Sequence, residues 1–410
     1  MRAPTRPDLT TGLAREVAFF KIDVSDAKVV EDAFQAPWPS SKNAQEGQQV
    51  TVFHTAANIR FYERHPSLTH YSATVNVDGT KNIINSARSI GAPLLLYTSS
   101  GSVAIRNSRF WLWPWERKPK YFVQVINDDE ILTRKPPSDF FSNYASTKMA
   151  AERLVRAADG SPSGDGVLRT GCIRPGNGVF GPGGDMMCGA ALVRKTNPSW
   201  LSTIMQSLLY VENCSIAHLL YEQRLLEFMQ GKSDVDIGGQ AFCITDPGPP
   251  PINGDVYNTL EILTNGETHF PPLSPTLMLL VSHFIEIYYL TRYFLLLRLP
   301  LIGSWIPPLS GDLLSLQPSV FRLTTVHIMF DDSRARLPPE KGGLGYKGIC
   351  TTLEGVHLTV DDFKKSAGKA EERSKNAGFS LMFAGLKKRR MGAKVQGEID
   401  GTLNVEVITT

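Results

Sequence analysis

At 410 residues, with 42% hydrophobic and 20% charged residues, the chain can bury a sizeable core, and its formal charge of +3 is too small to indicate a nucleic-acid partner. Its five cysteines, Cys172, Cys188, Cys214, Cys243 and Cys350, are odd in number and lack metal-ligand spacing, which argues for reduced thiols and against a zinc site. The opening residues Met1 to Pro7 contain no apolar stretch of the secretory-signal kind.

Through about residue 185, apolar runs bounded by turn residues alternate with helical patterns, which predicts an α/β fold built on a parallel sheet with crossover helices. Strands are expected at 17–22, ending at Asp23; at 50–53, ending at His54-Thr55-Ala56-Ala57; at 93–97, ending at Thr98-Ser99-Ser100; and near 171–173, leading into the Gly/Pro turn Arg174 to Pro182. Strand ends that run into small polar residues suit a ligand crevice. The spacing predicts helices over 76–84 and 144–155. Between them, residues 106–123, with Phe110-Trp111-Leu112-Trp113-Pro114-Trp115, read as an insertion. It is either a Trp-rich loop suited to a water–lipid interface or the product of a mispredicted gene boundary.

Residues 1–185 therefore form one expected unit, residues 186–365 a second that shapes the substrate site, and residues 366–410 a tail rich in Lys, Glu, Ala and Gly. Within the second unit, residues 277–299 are strongly apolar and nearly long enough to span a bilayer, yet they carry His283, Glu286, Arg292 and Arg298. A helix lying at a membrane interface, or lining the entrance to an apolar site, fits that pattern better than a spanning helix. Gly343-Leu344-Gly345-Tyr346-Lys347-Gly348 has the spelling of a dinucleotide turn but follows Pro338-Pro339 and no strand, so a simple loop is expected.

The chemistry centres on Tyr144 and Lys148. Four residues apart on a helix, a phenol and an ammonium share one face, and the cation should lower the phenol's pKa so that it can exchange a proton with a hydroxyl or carbonyl group. The order of a strand ending Tyr97-Thr98-Ser99-Ser100, then the Tyr144-Ala145-Ser146-Thr147-Lys148 helix, then a strand entering Arg174-Pro175-Gly176 resembles the extended short-chain dehydrogenases/reductases. Within them it is most similar to the 3β-hydroxysteroid and sterol-4-carboxylate dehydrogenase branch. Later landmarks carry the same resemblance: Tyr210-Val211-Glu212-Asn213, Ala217-His218-Leu219-Leu220, Gly239 to Thr245, and Leu344-Gly345-Tyr346.

The resemblance covers roughly residues 15–365 and implies a Rossmann-like doubly wound sheet and an NAD or NADP cofactor. It implies catalytic roles for Ser100 (with Ser99 as the fallback), Tyr144, Lys148 and Asn76, the last organising a water near the lysine. Cofactor contacts are implied for Asp23 at the adenine, for His54, Ala56 and Ala57 along the cofactor, for Tyr144 and Lys148, and for Pro175 behind the nicotinamide. The implied substrate is a sterol, steroid or terpenoid oxidised or reduced at its 3-position. A membrane association, a homodimer, and a location in the cytoplasm or on the cytoplasmic face of the endoplasmic reticulum are implied as well. One departure stands out. The residues before Asp23 leave no room for the first βαβ unit with its Gly-rich phosphate turn. A non-catalytic homologue, or a nucleotide-sugar epimerase or reductase of the same superfamily, are therefore the alternative readings.

Overall fold

The computed structural model describes residues 18–37, 50–110 and 112–366. In chain order its strands are β1 (Thr51–His54), β2 (Leu94–Thr98), β3 (Val123–Ile126), β4 (Ser161–Ser163), β5 (Gly166–Pro175), β6 (Val179–Phe180), β7 (Leu209–Tyr210), β8 (Gln240–Ile244) and β9 (His327–Phe330). The helices are α1 (Ala27–Gln35), α2 (Thr69–Ala73), α3 (Gly79–Ser89), α4 (Asn143–Ala157), α5 (Cys188–Arg194), α6 (Val211–Met229), α7 (Asn253–Leu263), α8 (Pro275–Arg298), α9 (Pro300–Trp305), α10 (Asp312–Ser315), α11 (Pro318–Thr324), α12 (Ser333–Arg336) and α13 (Thr352–Lys365).

The runs that end at His54, Thr98 and Pro175 become neighbouring parallel strands. β1 pairs with β2 (Thr51 opposite Leu94), β2 with β5 (Leu94 opposite Arg169), and β5 with β8 (Gly171 opposite Gln240). The sheet thus recruits β8 from beyond residue 185, while β4 folds back antiparallel onto the start of β5. Alternation along β2 explains the two layers. Leu95 and Tyr97 pack with Ile83, Ala87 and Val155 of α3 and α4, whereas Leu94 and Leu96 pack with Tyr221 and Leu225 of α6. Both faces are covered, so β2 is apolar on both sides, as a buried parallel strand must be. Gly171 is required here because a Cβ would overlap the Tyr221 ring that crosses β5. Two short parallel pairs, β3 with β9 and β6 with β7, lie outside this sheet.

Of the expected strand at 17–22, the described residues 18–22 form no strand. Residues 18–23 have no strand assignment, and no other strand among the described residues pairs with them, so their N–H and C=O groups lack a ladder. Phe19 and Phe20 are exposed, and only Ile22 and Val24 reach the core under α3. The helix expected at 76–84 is the middle of a longer one. It begins at α2, passes through a π-helical turn at Thr74–Asp78 and continues as α3. The Gly343–Gly348 segment is irregular backbone, as its setting suggested, and it buries Leu344 and Tyr346 against the α6 face of the sheet. In the Trp-rich segment, Trp113 and Trp115 stack at 5.4 Å and are exposed. Trp111, the Met1 to Pro7 start and the tail beyond Ser366 lie outside the described residues.

Candidate active site

The carboxyl ends of β1, β2 and β5 open onto a cleft of about 750 Å³. β2 runs into a 3₁₀ turn, Gly101–Ala104, which Ser100 caps by accepting the Ser102 amide at 3.2 Å; the two hydroxyls are 2.7 Å apart. Opposite, Ser142 caps α4 by accepting the Ala145 amide, and the first turns of that helix present Tyr144 and Lys148 to the cleft. The Ser100 and Tyr144 hydroxyls both line this cleft. Lys148 Nζ donates to the Thr98 carbonyl at 2.6 Å and lies 4.1 Å from the centre of the Tyr97 ring. Ser100, Tyr144, Lys148, Ala57 and Pro175 therefore share one cleft, whose walls include Phe61, Met186, Trp200 and Leu323.

The choice between the two serines is made by a buried ion pair. Ser99 donates to Glu152 Oε2 at 2.6 Å, and Glu152 is held by Arg174 through Nε at 3.0 Å and Nη2 at 2.6 Å, with both side chains of the pair fully buried. The Ser99 hydroxyl is committed to that network, which leaves Ser100 as the serine beside the phenol. Neither Glu152 nor Arg174 was expected from the motifs. The available signal was spacing, since Glu152 is one helical turn beyond Lys148 and so on the same face, and Arg174 is a cation next to the apolar run Cys172-Ile173.

The electrostatics differ from the expectation for Tyr144. Burial pushes its phenol above the usual range, the Ser100 hydrogen bond offsets this only partly, and Lys148 contributes no lowering. The reason is that Lys148 is itself perturbed: burial lowers it to about 7, against the opposing attraction of Cys172 and Glu152, and its proton is directed at Thr98.

Four expected site residues stand away from the cleft's lining. Asn76 lies in the π-helical turn, where its side chain accepts from the Asn58 amide at 2.7 Å and donates to the Asn58 carbonyl and to Thr147 Oγ1. It clamps the loop after β1 to α4. His54 is buried, with Nε2 2.9 Å from Thr80 Oγ1 and its ring 5.2 Å from that of Tyr97; burial and the Lys148 charge lower it to about 3, so it is neutral. Ala56 is buried in the core between the sheet and α3. Asp23 accepts from the Ser25 amide and hydroxyl and so closes the turn before α1.

Residues 18–267 match the profile of the 3-beta hydroxysteroid dehydrogenase/isomerase family. The chain belongs to that family. Among curated members, it is 28% identical over 381 residues to 3beta-hydroxysteroid-dehydrogenase/decarboxylase isoform 2 of Arabidopsis thaliana, covering 90% of this chain and 56% of the relative. Isoform 1 of that plant is 30% identical over 78% of this chain and 63% of its own length. The chain thus spans little more than half of the two plant relatives. The decarboxylating sterol-4-alpha-carboxylate 3-dehydrogenase of Candida albicans is 26% identical over 84% of this chain and 83% of its own length. Among solved structures, a UDP-glucose 4-epimerase from Thermotoga maritima, crystallised with UDP-glucose, superposes with a TM-score of 0.52 at 16% identity, over 86% of each chain. A Burkholderia cenocepacia protein described as an epimerase gives 0.51 at 13% identity, over 89% of this chain and 87% of that one. These likenesses establish the Rossmann fold of the family.

A nicotinamide cofactor of the kind this fold carries fits the end of the cleft that holds Ser100, Tyr144 and Lys148. The Lys148 ammonium and the Ser100 and Tyr144 hydroxyls suit a ribose and a reacting oxygen. Among the described residues, however, no strand, Gly-rich turn and helix precede α1 to hold a pyrophosphate.

Proposed function

We propose that this family member is an NAD(P)-dependent oxidoreductase acting on the 3-hydroxy or 3-keto group of a sterol, steroid or terpenoid. The observation that carries the reading is that Ser100, Tyr144 and Lys148 meet in one cleft walled largely by apolar side chains. A bound nicotinamide supplies the hydride acceptor. Tyr144, having first given up its own proton to solvent, would as the phenolate receive the substrate's hydroxyl proton, and Ser100 in the same cleft would orient the reacting oxygen. Lys148 holds the ribose with a donor that rests on Thr98 in the free protein. When the ribose hydroxyls and a second hydrogen-bond acceptor stabilise its charged form, its ammonium can assist the phenol in a way it does not in the free protein. The Phe61, Met186, Trp200 and Leu323 walls favour a polycyclic apolar substrate over a sugar nucleotide.

The same reading includes a membrane surface for the protein. No helix of the described residues is long and apolar enough to cross a membrane. α8 docks through buried Met278 and through Leu279, Val281 and Ile285, which pack on the core, and also through polar groups. Its polar groups face the protein: Glu286 takes two bonds from Arg64 at 2.7 and 2.6 Å, Tyr289 donates to buried Glu63 at 2.6 Å, and Arg292 Nε donates to the Ile306 carbonyl at 2.8 Å. Its apolar residues Leu277, Leu280, Phe284, Ile287 and Leu297 face outward, and Leu301 and Trp305 of α9 are more than four-fifths exposed. A docked helix that still leaves a row of large apolar side chains exposed suits a bilayer interface.

The test of the enzymatic reading is titration of NADH and NADPH fluorescence against the purified chain. The expected result is binding in the micromolar range, on the order of 8 kcal/mol, weakened by Lys148→Met. Folded protein that binds neither nucleotide would favour the non-catalytic reading.

A further inference from the structure

The residue that receives Lys148 is itself gripped from the other side of the sheet. Thr98 Oγ1 lies 2.8 Å from His218 Nε2, and His218 Nδ1 lies 2.8 Å from the Cys214 carbonyl one turn earlier in α6. A carbonyl only accepts, so the ring proton must be on Nδ1, and Nε2 must accept from the Thr98 hydroxyl. The tautomer is therefore set by the backbone of α6. Burial disfavours the imidazolium and keeps the ring an acceptor. The neighbouring Cys214 thiol, pushed up to about 12 by burial, offers no thiolate to compete for the ring proton. α6 otherwise packs on the opposite face of the sheet from α4, so the Thr98 strand end bridges the two helices. The same helix lines the cleft through Cys214, Ser215 and Leu219.

We propose that His218 is a positioning residue for Lys148: by holding the Thr98 side chain it fixes the carbonyl on which the ammonium rests, and it couples the lysine to the helix that walls the substrate cleft. For its catalytic consequence the proposal rests on the oxidoreductase reading above; the hydrogen-bond chain itself does not need a cofactor to be tested. Neither Thr98 nor His218 acts on substrate in this account. Each acts through the lysine.

The experiment is amide hydrogen exchange on the cofactor-free protein, with NADH titration as the second readout. His218→Leu keeps the bulk and removes the acceptor, His218→Gln retains an oxygen that can accept, and Thr98→Val removes the donor from the other side. The expected result is that His218→Leu and Thr98→Val each speed exchange across residues 98–103 by about tenfold, while His218→Gln stays near wild type. The double variant should be no worse than either single one, since both break one bond. NADH affinity should fall by about tenfold in the same two variants and recover in His218→Gln. Unchanged exchange in both, or effects that add in the double variant, would overturn the proposal. If His218→Leu does not fold, Thr98→Val decides alone. If the wild type binds no nicotinamide, the oxidoreductase reading fails, while the exchange data still decide whether His218 sets the Lys148 seat.

Discussion

Lys148 carries a stability consequence that can be worked out from its surroundings. Burial depresses its pKa from the ordinary 10.5 to about 7, which corresponds to a penalty on the order of 5 kcal/mol for keeping the amine charged in the folded protein. Because the folded pKa is the lower one, the unfolded chain binds more protons between pH 7 and 10.5. Stability therefore rises with pH across that window, and the penalty is fully present below it. Lys148→Met fills similar space without a charge. It leaves the Thr98 carbonyl without its donor, which costs about 1–3 kcal/mol. The variant should then be more stable than wild type by about 3 kcal/mol near pH 6, and the gap should close by about 1.4 kcal/mol per pH unit above 7. Urea unfolding of both proteins at a series of pH values measures this, with the slope of unfolding free energy against denaturant as the control that the same transition is compared. A variant less stable than wild type at low pH, or a gap that does not change with pH, would refute the assignment of Lys148 as a buried, strained cation.

Further outcomes follow from the same geometry. Glu152→Gln leaves the Arg174 guanidinium buried without its partner, and should cost about 3–5 kcal/mol of unfolding free energy, read by the same urea titration; a loss under about 1 kcal/mol would mean that the pair is solvated. Gly101→Ala places a Cβ against the Phe330 ring and 2.8 Å from the Pro175 carbonyl, so the turn capped by Ser100 must shift. Turnover should fall at least about tenfold although no reacting group changes, and an unaltered rate would show that Ser100 is not held by this turn. Replacing Phe284 and Trp305 with Ser should abolish co-sedimentation with phospholipid vesicles and leave nicotinamide affinity unchanged, whereas retained sedimentation would place the membrane contact elsewhere.

What could be read in advance depended on how local the determinant is. β1, β2 and β5 were legible because each is an apolar run closed by small polar residues, and α4 because Tyr144 and Lys148 fall on one face of a helix capped by Ser142. Residues 17–22 have the same composition as those strands, but strand formation needs a neighbour, and no described strand lies beside them. Composition cannot supply a partner. The seats of His54 and Asn76 depend on contacts with Thr80, Asn58 and Thr147, which are distant in sequence or ambiguous in direction, so no local pattern gives them. The direction of the Tyr144 shift was missed for a related reason: spacing gives the proximity of a lysine but not the burial that outweighs it. That Ser99 is tied to Glu152 and Arg174, which are 22 residues apart, depends on tertiary contacts that no local pattern encodes.

The central claim is that Tyr144 moves the proton of a 3-hydroxyl group in a nicotinamide-dependent oxidation. Its most direct test is the formation of NADH or NADPH by the purified chain given a 3β-hydroxysterol, compared with Tyr144→Phe. The account predicts turnover by the wild type and a loss of about a hundredfold or more in the variant, with nicotinamide binding retained. Equal rates in the two proteins, or no oxidation by wild type that demonstrably binds both nucleotide and sterol, would contradict it.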